Sequence, residues 1–114
     1  MNKEFQDFQN HFTHCQKLFG LTGYQVYFKH EPVDGGYAAI NFNCVQMVAT
    51  VYLNNKIEPE DRKFFNVKRS AKHEALHLLI AHLEYLAHCR SVRDEEITSA
   101  SEAIVVKLEE LIPD

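Results

Sequence analysis

Two histidines four residues apart, with a glutamate directly after the first, stand at His73-Glu74-Ala75-Leu76-His77. On an α-helix, side chains at i and i+4 lie one above the other on the same face, so both imidazoles can reach one tetrahedral Zn²⁺. Metal coordination lowers the pKa of water toward about 7, and a carboxylate beside the first histidine can take the proton as the water attacks a polarised carbonyl. Glu74 is therefore the candidate catalytic base, and His73 and His77 are the candidate metal ligands. With seven His and eleven Glu in 114 residues, chance alone supplies about 0.04 such matches in the chain. The surrounding elements have to carry the assignment.

A catalytic zinc takes three protein ligands and keeps one position open. The elongated H-E-x-x-H-x-x-G-x-x-H pattern is absent, since Ile80 stands at the Gly position and Leu83 at that of the third His. His82 lies about 140° around the helix from His77, and His88 about 16 Å further along it, so neither reaches the same ion. The third ligand is expected from the following helix. If the first helix ends near Ala87 or His88, a return helix starting near Val92 to Asp94 comes back about 12 to 15 Å by residue 102, to the level of His77. Glu102 is thus the expected third ligand, with Ala103, Val105 and Val106 around it as a dry wall. Glu109 returns about 10 Å further and is the reserve. Glu95 and Glu96 remain near the turn, where a helix N-terminus favours carboxylates.

The elements that must position these residues follow from periodicity. Phe5, Phe8, Phe12, Cys15 and Phe19 recur at steps of three and four, predicting a core-facing helix that Gly20 and Gly23 would end. From Tyr24 the period becomes two, and a turn at Asp34-Gly35-Gly36 leads to a second strand at Tyr37 to Asn43. A third apolar segment follows at Val45 to Leu53. Connections this short favour an antiparallel or mixed meander, because parallel crossovers need about a dozen residues or more. The motif then falls in a long helix from about Asn66 to Ala87, with Leu76, Leu79, Ile80, Leu83 and Leu86 as its apolar stripe. Ser91 and Asp94-Glu95-Glu96 suit a helix start, and Pro113 a stop. The fold class is α+β: an N-terminal helix, a three-stranded antiparallel or mixed sheet, an active-site helix and a C-terminal helix bearing Glu102.

At 13.2 kDa and 46% apolar residues, the chain suits one domain, residues 1–114, with a single core. A formal charge of -4 lacks the footprint of a nucleic-acid-coating protein, and Lys63, Lys68, Arg69 and Lys72 read as a solvated face, so no nucleic-acid partner is expected. Cys15, Cys44 and Cys89 are an odd number without CxxC spacing and read as reduced thiols. Neither a signal-like apolar run nor a bilayer-spanning segment is present in the sequence, so no membrane partner is expected and a reducing cytoplasm is the expected compartment.

His73-Glu74-x-x-His77 followed by a glutamate on the next helix resembles the gluzincin branch of zinc metallopeptidases. The order of elements resembles their minimal members, the minigluzincins, and small phage-encoded proteins with a three-stranded sheet. The resemblance implies a zincin-like domain that hydrolyses a peptide or protein substrate with Zn²⁺. It also implies that Val48 to Leu53 is an edge strand, with Val48, Thr50 and Tyr52 binding the substrate backbone by strand pairing. One departure is Val106, which stands where thermolysin-like proteins carry an acid four residues after the glutamate ligand. Ser99, Asp94 or a backbone carbonyl would then orient the ligands, and Tyr85, Arg90 and Arg93 are the candidates for steadying an oxyanion. The alternative reading is a non-catalytic zinc-binding interaction protein, such as a phage factor, that retains the fold and meets a host protein.

Overall fold

Helix α1 spans Lys3–Leu18 in the computed structural model, which describes residues 2–113. Its first turn is capped by Asn2, whose side-chain oxygen accepts from the Phe5 N–H at 3.0 Å, satisfying a donor that has no partner within the helix. Phe8, Phe12, Cys15 and Phe19 are buried, the stripe that the three-four spacing predicts. Gly20 ends the helix at φ 72°, a left-handed conformation that a residue without Cβ adopts at little cost.

Strands β1 (Gln25–His30), β2 (Ala38–Asn43) and β3 (Val48–Leu53) form one mixed sheet in the order β1-β3-β2. The sheet is mixed, one of the two expected forms, but its order is not that of the expected meander. β2 and β3 are an antiparallel hairpin running from Ala38↔Leu53 to Asn43↔Val48. β1 instead pairs with β3 in parallel, from Gln25↔Val48 to His30↔Leu53. The physical reason is burial: Ala49, Val51 and Leu53 of β3 are all within 1% of fully buried, and a strand whose inner residues are this enclosed belongs between two partners. Phe28 of β1 meets Phe8 and Phe12 edge-on, with ring centroids 6.5 and 5.5 Å apart, so the inner sheet face is sealed by α1.

The order of strands also corrects the assignment of Val48, Thr50 and Tyr52 to a substrate-binding edge. They belong to the central strand, whose backbone groups are already engaged on both sides. Their side chains alternate with Ala49, Val51 and Leu53 and so stand on the face away from the core. The sheet edge nearest the long helix is β2.

Helix α2 runs Val67–Ala87 and α3 Asp94–Leu111, close to the predicted bounds. Asn66 caps α2 through Arg69 N–H at 3.0 Å, and the Arg93 N–H donates to the Glu96 carboxylate at 3.3 Å at the start of α3. The apolar stripe of α2 matches the expected one in part: Leu86 is buried and Leu79 packs against the core. Ala71, Ala75, Leu78 and Ala81 are buried with α1 and the sheet, whereas Leu76 and Ile80 are 37% and 39% exposed. Large phenylalanines on α1 leave room only for small residues opposite them, so alanines take the core positions that leucines were expected to fill. Among the described residues no helix is long and apolar enough to cross a membrane.

The seven-residue passage from β1 to β2 is held by buried Asn54. Its side-chain oxygen accepts from the N–H groups of Val33 at 3.3 Å and Lys56 at 2.8 Å, and its amide donates to the carbonyls of Val33 at 3.2 Å and Gly36 at 2.7 Å. Truncation would strip partners from several backbone groups at once. Asn54→Ala is expected to lower the unfolding free energy by about 2 kcal/mol, measured by urea denaturation, and an unchanged midpoint would refute the role.

Candidate metal centre

His73 and His77 project from the second and third turns of α2, and their Nε2 atoms stand 3.2 Å apart. The rings are nearly perpendicular, with an interplanar angle of 74° and centroids 4.9 Å apart. Two nitrogens bound to one tetrahedral Zn²⁺ at about 2.0–2.1 Å would be separated by about 3.3 Å. The pair is thus spaced as two ligands of a single ion. Without a metal, the same spacing lets one imidazole N–H donate to the other ring.

Glu74 lies at the inner side of the pair and is only 6% exposed. Burial pushes its carboxyl above the ordinary range, and the neighbouring His73 and His77 pull it down in smaller measure. Glu74 and His73 separate two recesses. One, of about 330 Å³, is walled by Tyr37, Phe64, Arg69 and Ser70; the other runs along Ala38 to Phe42 of β2 and includes His77 and Glu84. The edge of β2 therefore faces the imidazoles, with Asn41 at its middle.

Glu102, expected as the third ligand, is not brought to the pair: it is exposed and lines a separate face of α3 with Glu95, Ala103 and Val106. Among the described residues no group of three His, Cys, Asp or Glu side chains is gathered to hold a metal. The axial level was only half of the requirement. The His82 and Leu86 side of α2 shares an open recess with Ser99, Ala100 and Ala103 of α3, and His82 is about 140° around the helix from His77. Ile97, Ser101, Ile104, Leu108 and Leu111 are the more enclosed positions of α3, and Glu102 is about 100° or more away from each. The expected dry wall is likewise absent, since Val105 and Val106 are 52% and 42% exposed.

Tyr85, Arg90 and Arg93 do not line either recess beside the imidazoles. Tyr85 lies with Cys89, whose thiol donates to the Tyr85 carbonyl at 3.3 Å and whose proximity pushes the Tyr85 phenol up from its ordinary pKa. Arg69 is the one cation lining the recesses among the described residues. Glu84 is not singled out in the sequence and Arg69 is read there as part of a solvated face, although both were findable as neighbours of the pair. Glu84 is seven residues after His77 and Arg69 four before His73, spacings that return to nearly the same helix face.

A buried acid with a raised pKa binds its proton more tightly folded than unfolded. Its stabilising contribution is full below the ordinary carboxyl range and is lost as pH rises through the raised value. In EDTA-treated protein, Glu74→Gln is expected to match the wild type near pH 4 and to gain stability relative to it toward pH 8. Parallel melting curves across that range would refute the buried, strained carboxylate. Compared with known proteins, the chain matches no family model, no curated protein and no solved structure.

Proposed function

We propose that the chain is a gluzincin-like, zinc-dependent peptidase in which His73 and His77 hold the metal and Glu74 moves the proton. The observation that carries this reading is the 3.2 Å separation of the two Nε2 atoms, matched to a shared tetrahedral ion and set beside a buried carboxylate. When bound there, Zn²⁺ supplies Lewis acidity toward a carbonyl oxygen and makes water a stronger acid. Glu74 accepts a proton from the attacking water and returns it to the leaving amine nitrogen.

The edge of β2 would position the substrate. β2 is hydrogen-bonded on one side only, to β3, so backbone groups on its other side are open to an extended peptide. Leu76 and Ile80 provide an exposed apolar ridge on the outer flank of the imidazoles. Two imidazoles alone are one ligand short of the usual catalytic set, and the outward placement of Glu102 favours a second reading, a zinc-dependent interaction protein without turnover.

Metal content and cleavage of a denatured protein separate these readings. His77→Ala is expected to weaken zinc binding by at least about tenfold, because it leaves a single imidazole. Glu102→Ala should change it less than about twofold, since a side chain remote from the ion contributes little. Glu74→Gln should keep the metal and lose cleavage by about 100-fold or more. Equal, negligible zinc in wild type and His77→Ala would sink both readings, while zinc binding without turnover would select the second. Loss of zinc in Glu102→Ala would mean that α3 turns to reach the ion.

A further inference from the structure

Arg69 and Glu84 bracket the histidine pair on α2. Both side chains are exposed, and neither has an ion-pair partner among the described residues. They stand fifteen positions apart in the chain, about 22 Å along the helix and about 60° around it. Arg69 lines the recess that holds Tyr37 and Ala38 at the start of β2, whereas Glu84 lines the recess that continues along β2 to Phe42. The groove between α2 and β2 therefore has a cation at the end where β2 begins and an anion toward the end where it finishes. Tyr37 and Phe64, the latter 69% exposed, wall the Arg69 recess.

We propose that this groove binds a short extended peptide antiparallel to β2, with its terminal carboxylate at Arg69 and its terminal ammonium toward Glu84. The inference rests on the reading of the β2 edge as the substrate site and names the substrate of that site. A chain rising about 3.4 Å per residue covers the distance from Arg69 to Glu84 in about seven residues, close to the six residues of β2 with which it pairs. Charge sets the direction. An antiparallel peptide points its C-terminus at the start of β2, where the guanidinium can take a carboxylate in a bidentate hydrogen bond. A parallel one would set carboxylate against Glu84 and ammonium against Arg69, with like charges together at both ends. The antiparallel ladder is also slightly more stable per residue. The aromatic walls decide the source of the carboxylate. The last residue of a peptide presents an apolar side chain to Tyr37 and Phe64 and an anion to Arg69 from one unit, whereas an Asp or Glu side chain presents the anion alone.

The test measures binding to the full chain in EDTA, where no metal-dependent hydrolysis competes. The probe is a synthetic peptide of about seven uncharged residues ending in Phe, labelled on a central side chain and followed by fluorescence anisotropy. Amidating its C-terminus is expected to weaken binding about fivefold, and added salt should shrink the difference. Arg69→Gln should weaken the free acid by a similar factor and leave the amide unchanged. Glu84→Gln should likewise weaken the free amine and leave the N-acetylated peptide unchanged. Both residues are exposed, so circular dichroism should not change in either variant. A C-terminal amide ending in Glu should bind as weakly as the plain amide, and recovery of the free acid's affinity would overturn the assignment to the terminus. Equal binding of acid and amide, no binding of either, or an Arg69→Gln loss shared by both would overturn the proposal. Discrimination by a protein that binds no zinc would keep this inference and remove the peptidase reading, whereas zinc-dependent cleavage of acid and amide at equal rates would do the reverse.

Discussion

The rotation of α2 about its own axis is the constraint on which the site depends, and it is set by steric fit. Ala71, Ala75 and Ala81 share one core with Phe8 and Phe12, so the helix can approach α1 closely only with its alanine face inward. That rotation places Glu74 at the core boundary and brings His73 and His77 round toward β2. A leucine-faced α2 would have turned the imidazoles elsewhere. The aromatic stripe of α1 and the histidine pair of α2 are thereby coupled, although more than fifty residues separate them in sequence.

Glu74 shows what this placement costs. A carboxylate enclosed against a core loses hydration, and the two neighbouring imidazoles offset only part of the loss. The same enclosure raises its proton affinity. Opposite it, β2 is kept near α2 by the Asn54 hydrogen bonds, which fasten the passage leading into that strand. Stability and site geometry thus share supports on both sides of the groove.

Local patterning was readable to within about three residues. The phenylalanine spacing of α1 declared its buried face because every residue in the stripe is large and apolar. Asn66 and the acidic run at Asp94 marked helix starts through the shortage of partners for the first N–H groups, a local demand. The stripe of α2 was legible at Leu79 and Leu86 but not at Leu76 and Ile80, because leucines are more conspicuous than alanines while the available space favoured alanine. Val48, Thr50 and Tyr52 were misread for a different reason: alternation marks a strand but carries no information about its neighbours.

Residue type and helical spacing are enough to put two imidazoles on one face with a glutamate between them and the core, since four residues make about one turn whatever surrounds them. Strand order, the side of α2 on which α3 lies, and hence the direction of Glu102 are properties of long-range packing. They depend on how three helices and a sheet divide one interior, and that division sets Glu102 among the glutamates of an outer face rather than beside the histidines. The axial distance along a helix is written in the chain. The angle around it is decided only when the helix meets its neighbours.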